Sequence, residues 1–417
     1  MPRDLYQGLL KRKEVVSFHM PGHKSKHIEG MEDYLKNLPR LDLTELYDTD
    51  DLYHPTGLIQ KSEESIALFS HAKKSKFLVN GSTSGILASI LGIVNEGDSI
   101  LVEETCHKSV INGLRLAKGD LYKVPVKDPQ AVASQESLIA KAQTISDLKA
   151  ILITRPNYYG IYQPIDKLVA YCKEQEIKLI VDEAHGSHFA LDCFDKNAME
   201  EGCDVSINSF HKTLPAFTQT AILNLNTDRD TEKKILKSLE MIMTSSPSYI
   251  LMTSIEFALD YVTKNKDSYK NLKGYIDSFY QEIEGLDFIR QPPCPHGFKR
   301  DFTRIVLDCD DPSDLNKHLL ENGIYIEMHD QKSLVLIASL VDEESDYQLL
   351  SQTIKSYKKY DDKKTFKTYD HLQDKVLEND IVVYPPGKII LERGRAVTKE
   401  VVDILNKLSE SNVTIYL

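Results

Sequence analysis

Three short stretches carry residue types that could act together on one ligand. Lys212 lies in SFHKTLP (209–215), and a lysine in such a loop can form a Schiff base once burial or nearby cations lower its pKa. Asp182 lies in VDEAHG (181–186) at the end of an apolar run, where an acid can hold a protonated ring nitrogen. The stretch GSTSG (81–85) precedes an apolar helix, and the free N–H groups at a helix start suit a phosphate.

Each stretch also has an ordinary structural explanation. GSTSG can be a helix N-cap with glycines in the turn. Asp182 can be an acid that accepts hydrogen bonds in the turn after a strand, and Lys212 can be a surface lysine. A metal site built from Asp182, His185 and His188 is disfavoured, because residues at a strand end point to different faces. The spacing favours chemistry, since Lys212 follows Asp182 by one strand–helix unit and both would face the crevice beside residues 81–85.

These three features are the protein-side requirements of pyridoxal 5'-phosphate (PLP): a phosphate cradle, an acid for the pyridinium nitrogen and a Schiff-base lysine. His107 opens a predicted helix and could lie flat on the cofactor ring, although a helix-start histidine can simply bond to backbone. His19, His23 and His27 have helical spacing, but Pro21 breaks that helix, so no metal site is expected there.

The elements that must position these residues alternate between strand and helix from about residue 62. Short, nearly all-apolar strands separated by helices indicate a parallel sheet covered on both faces. Residues 231–285 have helical spacing, and 302–358 predict a smaller α/β domain in the order strand, helix, strand, strand, helix. The predicted strands of the large sheet are 77–79, 99–102, 121–124, 150–154, 178–181, 205–208 and 221–225, with helices at 86–94, 107–117 and 165–174.

Four regions are expected along the chain. Within the last of them, the charged stretch 359–378 is predicted to be a surface linker. The regions are an N-terminal arm (1–60), a large cofactor-binding domain (61–240), connecting helices with a small α/β domain (241–358) and a shortened C-terminal region (359–417).

Composition excludes several classes of protein. The chain has 417 residues, 41% hydrophobic and 27% charged, which is typical of a globular protein and not of a disordered one. No apolar run is long enough to cross a bilayer, and the N-terminus lacks the apolar core of a secretory signal. A net charge of -12 argues against nucleic acid as a partner. Six cysteines without a CxxC pair fit reduced thiols in the cytoplasm.

Eight short motifs follow one another along the chain: SFHMPGHK (17–24), DDLYHPTG (50–57), TSG (83–85), HKS (107–109), DEAHG (182–186), HK (211–212), TSSPSY (244–249) and YPPG (384–387). Together they resemble the motifs of the bacterial ornithine/lysine/arginine decarboxylases of PLP fold type I. The similarity runs from about residue 5 to 260 and returns at 384–387. It is greatest to the short Gram-positive form, which includes biosynthetic arginine decarboxylases.

The resemblance implies a fold and a set of roles. The fold is α/β, with an aspartate-aminotransferase-like large domain on a mostly parallel seven-stranded sheet and a smaller C-terminal α/β domain. The implied catalytic residues are Lys212 (Schiff base), Asp182 (pyridinium nitrogen) and His107 (ring stacking). The other implied cofactor contacts are Ala184 on the opposite ring face, Thr83, Ser84, Ser209 and His211 at the phosphate, and Gly85 and His185 beside them.

The implied reaction converts arginine, lysine or ornithine to the amine and CO₂, in a homodimer with active sites at the subunit interface. The arm and residues 244–249 would then serve the partner's site. One departure is Arg395, which stands where the family has an acid, with Glu392 nearby, and a cation there would repel a basic side chain. Two alternatives therefore stay open: a PLP-dependent aminotransferase or lyase acting on a non-basic amino acid, and a non-catalytic protein of this fold.

Overall fold

The computed structural model describes residues 3–11, 15–126, 130–358, 368–384, 388–409 and 414–417. The YPPG motif falls largely outside these residues, since 385–387 are not among them. Among the helices of the described part of the chain, none combines the length and the apolar character that crossing a bilayer demands.

Strands occur throughout the described ranges. They are β1 (Val16–Phe18), β2 (Lys74–Leu78), β3 (Ser99–Glu103), β4 (Asp120–Val124), β5 (Leu148–Thr154), β6 (Ile161–Tyr162), β7 (Lys178–Asp182), β8 (Val205–Asn208), β9 (Ala221–Leu225), β10 (Ile289–Arg290), β11 (Lys299–Arg300), β12 (Arg304–Cys309), β13 (Ile324–Ile326), β14 (Met328–His329), β15 (Ser333–Ile337), β16 (Ile381–Tyr384), β17 (Lys388–Leu391) and β18 (Thr414–Tyr416).

Helices separate most of the strands, and two short 3₁₀ turns, Ser187–Ala190 and Asp370–Leu372, complete the elements. The α-helices are α1 (Asp4–Leu10), α2 (Met31–Lys36), α3 (Leu38–Leu41), α4 (Leu58–Phe69), α5 (Gly81–Ile93), α6 (Lys108–Ala117), α7 (Gln135–Ala142), α8 (Asp166–Glu174), α9 (Ala198–Glu201), α10 (Phe210–Thr213), α11 (Arg229–Ile242), α12 (Tyr249–Lys264), α13 (Ser268–Ile283), α14 (Pro312–Glu321), α15 (Glu344–Ser356) and α16 (Lys399–Leu408).

The central sheet has seven strands in the order β2-β9-β8-β7-β5-β3-β4. Every neighbouring pair is parallel except the two that involve β9, which runs antiparallel to β2 and to β8. The inner strands, such as β5 and β7, are largely apolar and buried on both faces because helices cover both faces. In β7, Ile180 packs in the larger core, whereas Leu179 and Val181 on either side pack in a second core. The predicted mostly parallel seven-stranded sheet is confirmed.

The predicted smaller α/β unit is built on a four-stranded antiparallel sheet in the order β10-β12-β15-β14. The arm is tied to this unit, because β1 pairs in parallel with β13 and places Phe18 opposite Ile326. Phe18 is fully buried in the larger core. The division of the chain into four regions stays a prediction.

Two local expectations differ from the structure. The helix expected at 86–94 begins earlier, at Gly81, so the GSTSG stretch forms its first turns and not a separate turn before it. The prediction of a surface linker over 359–378 is wrong for residues 368–378. Tyr369 and Leu372 are buried there in a small C-terminal core with Ile381 and Leu405. The signal that was missed is the apolar spacing of these few residues within a highly charged stretch.

Candidate active site

The carboxyl ends of the parallel strands β5, β7 and β8 form one edge of the central sheet. Asp182, at the end of β7, lies in register between Thr154 of β5 and Ile207 of β8. Lys212 follows β8 within the short helix α10. The start of α5 lies beside the same edge, since a Cβ placed on Gly85 would be 3.2 Å from the Ile207 side chain. The fold therefore gathers the three stretches singled out in the sequence.

Lys212 directs its amine towards His185. The distance between Lys212 Nζ and His185 Nε2 is 3.2 Å. Burial lowers the pKa of Lys212, the carboxylates of Asp182 and Glu327 oppose that shift, and the Arg304 guanidinium adds to it. Because the free amine is the nucleophilic form of lysine, this environment suits a reactive amine.

Asp182 is buried, and its Oδ1 accepts the backbone N–H of Ala184 at 3.2 Å. Burial raises the pKa of Asp182, whereas the Lys212 charge and the Ala184 N–H lower it. Ala184 is itself buried, and its side chain is only a methyl group. A buried acid at this position can share a proton with a basic ring nitrogen brought next to it.

His185 connects Lys212 to a buried arginine. Nη2 of Arg304 lies 3.2 Å from His185 Nδ1 and donates to the His185 carbonyl oxygen at 3.3 Å. The pKa of His185 is lowered well below its usual value by burial and then by the charges of Lys212 and Arg304. His188, in contrast, pairs with Asp301, its Nε2 lying 3.0 Å from Oδ2.

His107 is the N-cap of α6. Its Nδ1 accepts the N–H of Ser109 at 3.2 Å and lies 2.8 Å from the Ser109 hydroxyl. Burial, followed by the charges of Lys212 and Lys108, lowers the pKa of His107 to about 3. The ordinary helix-start explanation is thus present, and the same hydrogen bond fixes a neutral ring near Lys212. Stacking on a cofactor ring stays a prediction.

The start of α5 has the features of an anion site. Asn80 at the N-cap position makes no side-chain cap bond, although the helix has 13 residues and a corresponding dipole. Thr83 is exposed in the first turn, whereas Ser84 is buried and donates its hydroxyl to the Gly81 carbonyl at 2.7 Å. Gly85 packs against the sheet, since a Cβ there would lie 2.7 Å from the Leu78 side chain.

Two hydroxyls beside Lys212 have unused hydrogen-bonding capacity. Ser209 Oγ and Thr213 Oγ1 are buried, and neither has a hydrogen-bond partner among the residues that the structure describes. His211 lies between them and is within 2.9 Å of the Thr220 carbonyl through Nδ1. Burial, together with the charge of Lys212, lowers the pKa of His211 to about 4. Buried hydroxyls without partners are expected where a polar ligand binds.

The HMPGHK motif of the arm packs against the Lys212 segment of the same chain. The N–H of Gly22 donates to the His211 carbonyl at 2.7 Å, and Ser339 Oγ donates to the Gly22 carbonyl at 2.5 Å. Lys24 is buried and donates to the carbonyls of His19 at 2.6 Å and Ile337 at 3.0 Å. The motif therefore joins the candidate site to the small sheet.

The two motifs at 50–57 and 244–249 contact each other and organise α4 and α12. Asp50 accepts the N–H groups of Thr56, Gly57, Ile59 and Gln60 at the start of α4. Tyr249, at the start of α12, donates its hydroxyl to the Asp50 carbonyl at 2.9 Å. Within this subunit these motifs have structural roles, and their service to a partner's site stays a prediction.

Sequence reasoning missed two charged residues of the site. Arg304 is fully buried at the start of β12, and Glu327 accepts the Met20 N–H at 3.0 Å and the Tyr158 hydroxyl. The available signal for Arg304 was an arginine directly before the apolar run 305–307, which is an unusual place for a charge.

Arg395 and Glu392 lie in the C-terminal region. Arg395 is exposed in a turn that also contains Gly394. Glu392 Oε2 is 3.8 Å from Nη2 of Arg115, and its Oε1 is 3.9 Å from Nζ of Lys123. Asp380 also binds Arg115, accepting from its Nη2 at 2.8 Å. These contacts dock the C-terminal region on α6, the helix that begins after His107.

The chain is similar to several known proteins in sequence and in fold. A family model described as Orn/Lys/Arg decarboxylase, major domain, matches residues 4–285. An uncharacterized protein of Bacillus subtilis, YaaO, is 29% identical, the match covering 98% of this chain and 94% of that protein. The arginine decarboxylase of Bacillus anthracis is 23% identical, with 97% and 92% coverage. The solved structure of Francisella novicida lysine decarboxylase LdcF superposes with a TM-score of 0.73 at 18% identity, covering 95% of this chain and 77% of the other.

Proposed function

The chain belongs to the Orn/Lys/Arg decarboxylase family, and on this premise we propose that it is a PLP-dependent decarboxylase of a basic amino acid, arginine ahead of lysine and ornithine. The fold is α/β, of PLP fold type I. The observation that carries the proposal is the placement of Lys212, whose amine lies 3.2 Å from His185 and within the electrostatic reach of Asp182. A reactive lysine and a buried acid are what this cofactor requires of a protein.

The residues present fit PLP on two structural grounds. Ser209 and Thr213 flank Lys212 with buried hydroxyls that have no partner among the described residues, and the start of α5 has no side-chain cap. Both features suit a phosphate, which takes hydrogen bonds from hydroxyls and from helix N–H groups. We assign the phosphate to this end of the site, with Thr83, Ser84, Ser209 and His211 as its ligands and Gly85 permitting the close approach of α5 to the sheet.

When bound, PLP supplies an electron sink for the pair left on the α-carbon as the carboxylate departs as CO₂. Lys212 would hold the cofactor covalently through Nζ, and Asp182 would keep a proton on its ring nitrogen. His107 would pack on one face of the ring and Ala184 on the other, where the short side chain leaves space. His185, whose Nε2 faces Lys212, would contact the cofactor from the same side as that lysine.

One observation supports arginine as the substrate, and another opposes a basic substrate. The similarity to the B. anthracis arginine decarboxylase extends over nearly the whole of both chains and favours arginine. Arg395, however, stands where the family has an acid, and Glu392 lies close to Arg115 and Lys123. This observation favours one second candidate, a PLP enzyme acting on a non-basic amino acid.

We also propose that the enzyme works as a homodimer in the cytoplasm. The arm exposes large apolar side chains, including Leu5, Leu9, Leu46 and Tyr47, which a second subunit would cover. Five of the six cysteines, Cys172, Cys193, Cys203, Cys294 and Cys309, are free thiols, which fits a reducing compartment.

A product assay tests the proposal. Protein loaded with PLP is incubated separately with arginine, lysine and ornithine, and agmatine, cadaverine and putrescine are measured by mass spectrometry. We expect one amine to dominate, and to be lost together with the visible absorbance of the bound cofactor in Lys212→Ala. The exposed Lys173, on α8, provides a matched control, and Lys173→Ala should retain both signals.

Two results would redirect the proposal. Bound PLP with no amine from any of the three substrates would favour the non-basic substrate. An unchanged cofactor spectrum in Lys212→Ala would refute the assignment of the site itself.

A further inference from the structure

Arg304 is a charged residue in the interior that makes all its polar contacts within the protein. Its side chain has no exposed surface. Nη1 donates to Thr303 Oγ1 at 3.2 Å and lies 4.0 Å from Asp301 Oδ2, while Nη2 reaches Nδ1 and the carbonyl of His185. Arg304 is fully buried, so besides the direct effect of its charge on Lys212 it acts on the site through its contacts with His185.

The backbone is shaped to admit this side chain. Gly160 has a φ of +77°, and a Cβ there would lie 2.5 Å from Arg304 Cβ. The Gly160 carbonyl accepts the N–H of Asp301 at 2.8 Å, and Asp301 in turn accepts the Thr303 N–H at 2.9 Å. Arg304 is therefore held by the loop before β12 and by the turn before β6, and its orientation is fixed.

The direction of the hydrogen bonds determines where the His185 proton lies. A guanidinium has donors only, so its contact with His185 Nδ1 requires a lone pair on that nitrogen. The single proton of a neutral imidazole must then be on Nε2, the nitrogen 3.2 Å from Lys212 Nζ. An Nε2–H group can donate to an amine lone pair but cannot accept from an ammonium group.

We propose that Arg304 is a positioning residue that holds His185 in the Nε2–H tautomer. In this tautomer His185 can form a hydrogen bond with Lys212 only when Lys212 is a free amine. This inference rests on the proposed function, in which Lys212 must be a free amine to take up the cofactor. The chain of contacts runs from Asp301 through Arg304 and His185 to Lys212, and each link follows from the donors and acceptors that the side chains possess.

Other charged groups around Lys212 and His185 favour the ammonium form of Lys212, which the tautomer of His185 would oppose. Asp182 and Glu327 both favour the ammonium form of Lys212, and burial and Arg304 oppose them. His107 and His211 also lie near His185, and burial keeps both rings neutral at physiological pH. Without Arg304, His185 would be free to turn a lone pair towards Lys212 and to stabilise its protonated form.

The tautomer can be measured on the apo-protein without any substrate. Two-bond ¹⁵N–¹H spectra of protein labelled in histidine distinguish Nδ1–H, Nε2–H and imidazolium rings, and the His185→Asn variant identifies the His185 signals. We expect the Nε2–H pattern in the wild type from about pH 6 to about pH 8, although an unperturbed histidine would titrate in this range. An Nδ1–H or imidazolium pattern in the wild type would overturn the proposal.

The second measurement follows the reactivity of Lys212. Trace acetylation of the apo-protein with acetic anhydride at a series of pH values, quantified on the Lys212 peptide, gives the fraction of free amine. In Arg304→Met we expect about a tenfold lower rate near neutral pH with the same plateau at high pH, because one pKa unit corresponds to a factor of ten. Arg304→Lys, which keeps a cationic donor, should recover much of the rate, and Arg300→Met is the matched control on β11.

A merely structural role would give a different pattern. If Arg304→Met unfolds, circular dichroism will reveal it, and the wild-type tautomer and Arg304→Lys still decide the question. If Arg304→Met is folded and the tautomer of His185 is unchanged, the proposal is wrong, even if the Lys212 profile shifts, because loss of the Arg304 charge alone raises the pKa of Lys212. These measurements need no turnover, so a protein that forms no product can still confirm the role of Arg304. Equally, a protein that forms the product can still refute that role.

Discussion

Gly22 lies in direct contact with Leu214, two residues after the candidate cofactor lysine. A Cβ at position 22 would be 2.4 Å from the Leu214 carbonyl oxygen, a distance at which backbone must move. The N–H of Gly22 also donates to the carbonyl of His211. The arm motif thus contacts the backbone on both sides of Lys212, which explains why a glycine is required at this position.

The first prediction concerns this contact. Gly22→Ala should lower the free energy of unfolding by roughly 1–3 kcal/mol, the usual cost of overpacking, because the Leu214 backbone cannot retreat without moving Lys212. Urea unfolding measures the stability, and the visible absorbance on PLP addition measures cofactor uptake, which should weaken as well. Gly274→Ala in α13 is the control, since a Cβ there meets nothing within 4 Å. Equal behaviour of the two variants would contradict the packing argument.

The second prediction concerns the cap of α4. Burial raises the pKa of Asp50, but the backbone N–H groups it accepts outweigh this effect and hold it at about 2. Asp50→Ala should destabilise the protein by about 1–2 kcal/mol at neutral pH, the range for loss of an N-cap. Because the folded pKa is depressed, this contribution is present above about pH 4 and is lost as the pH falls towards 2. The difference between wild type and variant should therefore shrink in acid.

The exposed Asp48, two residues earlier, is the control for Asp50. Asp48→Ala should change the free energy of unfolding by less than about 0.5 kcal/mol at any pH. A comparable loss in both variants would mean that the cap does not stabilise α4.

The sequence predicted those parts of the fold and site that local patterns determine. The strands 205–208 and 221–225 coincide with β8 and β9, which are short buried stretches where apolar residues predominate or alternate with small polar ones. The sequence also predicted that Asp182, Lys212 and residues 81–85 lie close together, because the carboxyl ends of parallel strands meet at one edge of the sheet.

Other features depend on contacts that no local pattern encodes. Arg304 is separated from His185 by more than a hundred residues, and only the folding of the small sheet onto the large one joins them. The pairing of β1 with β13 joins residues even farther apart along the chain, so the attachment of the arm to the smaller α/β unit could not be predicted from sequence. The burial of Tyr369 was missed because its charged neighbours dominate the local composition.

The third prediction separates function from stability at Asp182. Asp182→Asn keeps the shape of the side chain but cannot hold a ring nitrogen protonated, so the rate of amine formation should fall by about a hundredfold or more. Burial raises the pKa of Asp182, so the charge is unfavourable in the folded state, and its removal should not lower the free energy of unfolding by more than about 1 kcal/mol. Product assays and urea unfolding measure the two effects.

Asp120→Asn, at the exposed start of β4, is the matched control for Asp182→Asn and should leave both quantities unchanged. Full activity in Asp182→Asn would exclude this carboxyl as the partner of the ring nitrogen.

The fourth prediction concerns a buried acid outside the site. Glu103 ends β3 and accepts the N–H groups of Ala133 at 3.1 Å and Thr154 at 3.3 Å. Burial raises the pKa of Glu103 to about 7, although these two hydrogen bonds oppose the shift. Between about pH 4.5 and pH 7 the folded protein therefore binds a proton that the unfolded chain has released. The contribution of Glu103 to stability must then fall as the pH rises through this window, by up to about 1.4 kcal/mol per pH unit.

Glu103→Gln removes this titration and keeps one acceptor oxygen. Near pH 5 the variant should be less stable than the wild type by about 1–2 kcal/mol, since one of the two backbone N–H groups loses its partner. As the pH rises to about 7, the difference should narrow or reverse, and it should level off at higher pH, where Glu103 is ionised in both states. Urea unfolding of both proteins at several pH values measures the difference, in which the other acids cancel. Glu104→Gln, at the exposed neighbouring position, should show no such trend. A constant difference between Glu103→Gln and wild type would mean that Glu103 is ionised in the folded protein throughout.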